Sequence, residues 1–145
     1  DRIHKIRNEL MKLGLNVHNH EPKMKIKSNT DIYLVNAYGK TKSFYKLTNN
    51  VFLGGSLIKH GGQNPLEAAR YGCNILHGPY VSNFKDIYTF LKKNKMSQKI
   101  NSKNQIVLNL IRLFNKPNKI NKVQSKLNKI GNEILNNTYN KINTN

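Results

Sequence analysis

Between Val51 and Tyr71 the sequence passes from a short apolar run, Val51-Phe52-Leu53, through a glycine-rich loop to Asn64-Pro65-Leu66-Glu67-Ala68-Ala69-Arg70-Tyr71. The order reads as strand, loop and helix start. Asn64 fits the N-cap, Pro65 the first helical position, and Glu67 the place three residues on where a capping box puts a carboxylate. A loop of this kind lets a ligand approach the backbone at its glycines, while unpaired N–H groups of the helical first turn point outward. An ordinary capped helix after a glycine turn accounts for the same residues. The fold that such a unit belongs to is α/β.

The flanking chain repeats the alternation. Ile3, Ile6, Leu10 and Leu13 recur at helical spacing and Gly14 stops them, predicting an amphipathic helix. Leu15-Asn16-Val17-His18 is a candidate strand, and Glu21-Pro22-Lys23 with its following lysines a solvated loop. Asp31-Ile32-Tyr33-Leu34-Val35-Asn36 is an apolar run of the kind that parallel sheets bury. A helical stretch with Phe44, Tyr45 and Leu47 leads to the central loop. After it, Gly72 ends a helix, Cys73 to His77 reads as a strand closed by Gly78-Pro79, and Ser82 or Asn83 caps a helix whose apolar face is Phe84, Ile87, Tyr88 and Leu91. Those rings sit at packing positions, not on a base-stacking platform. Gln105 to Phe114 carries another helical stripe, stopped at Pro117, and Ile120, Val123, Leu127, Ile130 and Ile134 define a last one.

Several blocks between Gly54 and Phe84 resemble the nucleotide-binding half of the 3-deoxy-D-manno-octulosonic acid (Kdo) transferases. The matching pieces are Gly54-Gly55-Ser56, Gly61-Gly62-Gln63-Asn64-Pro65-Leu66-Glu67, Gly78-Pro79 and Asn83-Phe84, in the family's order and spacing. The likeness runs from about Asp1 to Leu91. It implies a Rossmann-like parallel sheet flanked by helices, the C-terminal lobe of a GT-B glycosyltransferase, with residues 1–100 as the CMP-Kdo-binding lobe and 101–145 as amphipathic helices packed on it. It implies direct CMP contacts at Asn64, Pro65, Leu66 and Glu67. Such a carboxylate can accept from both ribose hydroxyls.

The resemblance also places Gly54, Gly55, Ser56, Gly61, Gly62 and Gln63 along the sugar–phosphate side of the donor. Tyr38, Gly39 and Lys40 fall where the family has an Asp-Thr-Met-Gly-Glu-Leu loop against the base. Asn36 stands for that loop's aspartate and Lys40 for its glutamate, so backbone contacts from Tyr38 and Gly39 survive the change and carboxylate roles do not. Tyr38 fits a packing role equally. Arg2 matches the last residue of the family's Pro-Arg-His-Pro-x-Arg segment, so the chain is expected to be a C-terminal fragment. The family's general base, a glutamate, lies in the other lobe, and no residue here is assigned as catalytic.

The implied partners are CMP-Kdo as donor, a lipid A precursor as acceptor, and the membrane surface through the full-length protein at the cytoplasmic face of the bacterial inner membrane. Neither a cofactor nor a metal is called for. The five histidines lack the paired spacing of a zinc site, and His18 and His20, on one strand face, read as edge residues. Cys73 is the sole cysteine and reads as buried. The net charge of +18 over 145 residues suits anionic partners, or reflects a Lys- and Asn-rich compositional habit. Two other readings share these features: a GT-B transferase using a UDP- or GDP-sugar, and a basic nucleic-acid-binding module. The latter is disfavoured by diffuse charge and the lack of a recognised motif, so no nucleic acid is expected as a partner. The last stripe also suits a basic helix on an anionic membrane.

Overall fold

The computed structural model describes residues 2–115 and Lys129. It divides into two compact units, Asp1–Thr41 and Lys42–Asn145. The final stripe from Ile120 and the stop at Pro117 lie outside the described residues.

In the first unit, helix α1 (Arg2–Lys12) is followed by strands β1 (Val17–Asn19) and β2 (Ile32–Leu34). The helix ends where the spacing of Ile3, Ile6 and Leu10 predicts, and the Gly14 amide closes it on the Met11 carbonyl at 3.0 Å. The strands pair in parallel with Val17 opposite Ile32 and Asn19 opposite Leu34. Their starts are tied by Asp31, whose Oδ2 accepts from the Asn16 backbone N–H at 2.8 Å and from its side-chain amide at 3.2 Å. Both strands are shorter than their apolar runs, and neither is fully buried. His18 and His20 stand edge-on to the Tyr33 ring, and His20 Nδ1 lies 2.7 Å from its hydroxyl, so both are packed instead of lying free on an edge.

The second unit holds α2 (Thr41–Leu47, from the boundary residue), β3 (Asn50–Leu53), α3 (Leu66–Arg70), β4 (Asn74–His77), a 3₁₀ turn (Ser82–Phe84), α4 (Lys85–Lys93), β5 (Ser97–Lys99) and α5 (Lys103–Phe114). Its sheet is parallel with β4 in the middle, Leu53 opposite His77 on one side and Ile75 opposite Ser97 on the other. As the central strand, β4 is buried along Ile75, Leu76 and His77. Leu53, Ala68, Ala69, Cys73, Tyr88, Leu91 and Met96 join Ile75 in the core. Tyr88 and Leu91 are the buried members of the α4 face expected from spacing, with Phe84 and Ile87 partly buried beside them.

Ser97-Gln98-Lys99 has no apolar signature of a strand, and its position comes from pairing with β4. Helix α5 begins at Ser102, whose Oγ accepts from the Gln105 N–H at 3.3 Å. It is tied to β5 through Gln98, which receives Arg112 Nη2 at 2.7 Å and donates to Asn109 at 2.6 Å. Among the described residues no helix is long and apolar enough to cross a membrane. The α/β class and parallel pairing expected from the sequence hold, with the strands in two sheets.

Candidate functional site

The loop from Gly54 to Pro65 leaves the end of β3 and returns at α3, and long-range contacts hold it. Ser56 is completely buried. Its Oγ donates to the Leu53 carbonyl at 2.7 Å and accepts from the Gly78 N–H at 2.8 Å, and its own carbonyl accepts from the Tyr80 N–H at 2.9 Å. The hydroxyl therefore locks the end of β3 to the end of β4. Expected to line the donor, Ser56 is instead enclosed within the loop's own framework.

Further along, the Asn83 side chain pairs with both backbone groups of Gly62: Oδ1 accepts from its N–H at 3.2 Å and Nδ2 donates to its carbonyl at 2.8 Å. Asn83 thus clamps the loop, and neither it nor Ser82 caps α4 through a side-chain bond. The Tyr88 hydroxyl donates to the Gln63 carbonyl at 2.9 Å. Burial, followed by the influence of Tyr45, pushes the Tyr88 phenol up to about 12, so it stays a donor across the physiological range. A Cβ on Gly55, whose φ is +76°, would come within 2.6 Å of the Gly61 carbonyl oxygen, so the two glycine pairs fold against each other.

At the helix start, Asn64 Oδ1 accepts from the Leu66 N–H at 3.0 Å, and Pro65 already has helical dihedrals, φ −84° and ψ −9°. The helix thus starts one residue later than the sequence suggests: Pro65 stands at the N-cap without a side-chain cap bond, and Asn64 closes a side-chain turn onto Leu66 just before it. Glu67 does not complete a capping box. Its Oε1 lies 3.9 Å from Lys42 Nζ, and the carboxylate remains 45% exposed. A pair this open contributes at most about 1 kcal/mol and leaves the carboxylate able to accept from a ligand. Burial, then the nearby Glu67 carboxylate, raises the Tyr45 phenol above its ordinary value. Helix α3 is only five residues long, too short for a strong dipole at its N-terminus.

Gln63 and Asn64 are exposed, Pro65 is buried, and Lys59 and His60 face solvent. The structure thus brings Gly54 through Glu67 into one loop-and-helix unit on the second unit. Tyr38, Gly39 and Lys40 belong to the first unit, where they form an exposed turn after β2. Tyr38 is fully exposed there, against its alternative packing role.

His77, at the end of β4, was not singled out from sequence. It is buried, its Nδ1 donates to the Gly78 carbonyl at 2.7 Å as a neutral ring, and its ring packs tilted by 44° against Tyr88 with centroids 4.2 Å apart. Burial, outweighing the bond to Gly78 and reinforced by Lys99 and Lys92, holds its pKa below the ordinary 6.5. As pH falls below 6.5 the unfolded chain takes up a proton that the folded chain refuses, so stability decreases towards the depressed folded value. Urea midpoints measured from pH 7.5 to 5 should therefore decline, by at most about 1.36 kcal/mol per pH unit from this group. His77→Asn should flatten the slope, and an unchanged slope would assign it to other groups. Cys73 is likewise buried, its thiol 3.3 Å from the Thr48 carbonyl, and burial pushes its pKa up. Among the described residues no group of three or more His, Cys, Asp or Glu side chains could hold a metal ion.

No protein-family profile matches the sequence. Among curated proteins it is 29% identical over 100 residues to the 3-deoxy-D-manno-octulosonic acid transferase of Aquifex aeolicus, covering 69% of this chain and 28% of that protein. To the transferase of the same name from Haemophilus influenzae it is 34% identical over 74 residues, covering 51% of this chain and 17% of the other. The match therefore spans 17% to 28% of the length of these relatives. Among solved structures it superposes on the C-terminal CMP-Kdo binding domain of WaaA from Acinetobacter baumannii with a TM-score of 0.77 at 23% identity, over 89% of this chain and 67% of that one. That neighbour establishes the fold, and the curated relatives bear out the resemblance read from the sequence blocks.

Proposed function

We infer that this chain, a homologue of the 3-deoxy-D-manno-octulosonic acid transferases, is the donor-holding part of a GT-B glycosyltransferase that moves Kdo from CMP-Kdo to a lipid A precursor. The observation that carries this reading is the braced loop from Gly54 to Glu67, whose sequence blocks match the family and which ends beside an accessible carboxylate. In this reading Glu67 accepts from the ribose hydroxyls, and Asn64, Pro65 and Leu66 shape the nucleotide's seat. Gly54, Gly55, Gly61 and Gln63 face the sugar and phosphate, and Gly62, buried with both backbone groups on Asn83, keeps the loop in shape. Ser56 contributes by holding the loop. The acceptor's general base belongs to another lobe, so the chain by itself binds nucleotide weakly and turns over little. The whole enzyme works at the cytoplasmic face of the inner membrane in lipopolysaccharide assembly.

The chain's role in donor binding consists of orientation. A rigid loop fixes the leaving group while the acceptor is brought up elsewhere, which converts binding energy into positioning. Calorimetric titration with CMP, UMP and a DNA oligonucleotide at two salt concentrations tests it. CMP should bind saturably and in preference to UMP. Glu67→Ala should weaken CMP about tenfold to a hundredfold, the value of a charge-assisted hydrogen bond. DNA binding that salt abolishes and Glu67→Ala leaves intact would instead assign the chain to its basic surface.

A further inference from the structure

The first unit contains a groove of about 360 Å³, formed by α1, β1 and the loop that follows β1. This is a size at which small ligands are held, roughly 300 to 1,000 Å³. It does not include Tyr38, Gly39 or Lys40. Arg7 and Lys27 line it, along with His18, Glu21 and two exposed methionines, Met11 and Met24. Arg7 is the unusual member. Its Nε is buried without any hydrogen-bond partner, although the side chain is half-buried and carries a permanent charge. The rest of the side chain is not enclosed, so the terminal guanidinium nitrogens remain available to an acceptor in the groove.

The neighbouring groups are arranged to suit an anion. The Lys27 backbone N–H donates to His18 Nδ1 at 3.3 Å. That contact puts the proton of the neutral imidazole on Nε2, making His18 a donor. Lys27 itself forms no ion pair among the described residues. Glu21 is the acid among the lining residues, and it is exposed and paired with neither cation. Two cations and a neutral donor thus outweigh one carboxylate.

We propose that this groove is an oxyanion site for a phosphate ester, with Arg7 and Lys27 as its charged contacts, His18 as a neutral donor, and Met11 and Met24 flanking the ester's organic part. Guanidinium matches phosphate oxygens in pairs, and Arg7 lines the groove. The ester is either a soluble metabolite or the headgroup of an anionic lipid, since both present the same chemistry.

The test is an NMR titration of the full chain, following the Arg7 Nε–H and Lys27 amide signals. The probes are inorganic phosphate, glycerol 3-phosphate, and phosphatidylcholine vesicles with and without phosphatidic acid. Saturable movement of the Arg7 signal is expected, weakened at least about tenfold in Arg7→Gln and several-fold in Lys27→Gln, losses typical of charged hydrogen bonds. Lys85→Gln, at an exposed position of α4, should leave it unchanged. Response to glycerol 3-phosphate alone identifies a soluble ester, and response only to phosphatidic acid vesicles a lipid headgroup; either supports the site. The proposal is overturned if no probe moves the Arg7 signal saturably, or if Lys85→Gln weakens binding as much as Arg7→Gln, which would reduce the effect to general attraction by a chain of charge +18. Circular dichroism confirms folding of each variant. Should Arg7→Gln fail to fold, Lys27→Gln decides, because that side chain is exposed.

Discussion

Gly78→Ala should destabilise the second unit by about 4 kcal/mol, although it adds a single methyl group. A Cβ at this position would overlap the Ser56 carbonyl, and would lie 2.6 Å from the Leu57 nitrogen. These are backbone atoms, so no side-chain rotation relieves the contact. Ser56 is itself held between Leu53 and Gly78, and both ends of the overlap are buried. Relief therefore requires the ends of β3 and β4 to separate. Overpacking of a close contact costs about 1–3 kcal/mol, and stranding the Ser56 hydroxyl and the Gly78 N–H adds about 1–3 more. Against a typical total of roughly 5–15 kcal/mol this is a large fraction. Gly54→Ala is the control, because a Cβ there meets nothing within 4 Å and φ is not in the left-handed region. Its urea midpoint should stay at the parent value. Equal midpoints for the two variants would show that the packing of Ser56 on Gly78 does not limit stability.

The same pair shows what a sequence can and cannot reveal. Helices α1 and α4 are legible because Ile3, Ile6 and Leu10, and likewise Phe84, Ile87, Tyr88 and Leu91, repeat with the helical period. Strand β4 is legible because a central parallel strand is buried along most of its length. Strand β5 is not. Ser97, Gln98 and Lys99 carry no apolar alternation, and backbone pairing with β4 makes them a strand. Nor could local pattern show that Ser56 touches Gly78, or Gly62 touches Asn83, across gaps of 22 and 21 residues. Those residues stood out only as separate blocks of a family resemblance. The structure supplies a physical reason for their spacing: Ser56 binds the Gly78 amide, and Asn83 binds Gly62. Glu67 was legible as a residue of interest but not in its local role, since a capping-box carboxylate and one turned towards Lys42 have the same sequence.

Asn83→Ala is the variant that separates the loop's shape from its chemistry. The Asn83 amide is the side-chain partner that meets both backbone groups of Gly62, one bond at 3.2 Å and one at 2.8 Å. It is exposed on the 3₁₀ turn before α4 and is not a member of the core cluster. Its removal leaves the core intact and costs the two hydrogen bonds, about 1–3 kcal/mol, with Gly62 buried and its polar groups unpaired. Gly61 and Gly62 are then free to leave the conformation in which Gly61 packs on Gly55. If the loop seats the CMP-linked donor, CMP affinity should fall about tenfold even though Asn83 is assigned no ligand contact, because ordering the loop is then charged against binding. Calorimetry would show this as a more unfavourable binding entropy, whereas Glu67→Ala should lose binding enthalpy. Asn83→Asp keeps the acceptor for the Gly62 N–H and loses the donor to its carbonyl, so its affinity should fall between the parent and Asn83→Ala. Parent-like CMP affinity in Asn83→Ala, with the urea midpoint lowered, would mean that the clamp serves stability alone and that donor binding does not depend on the shape of this loop.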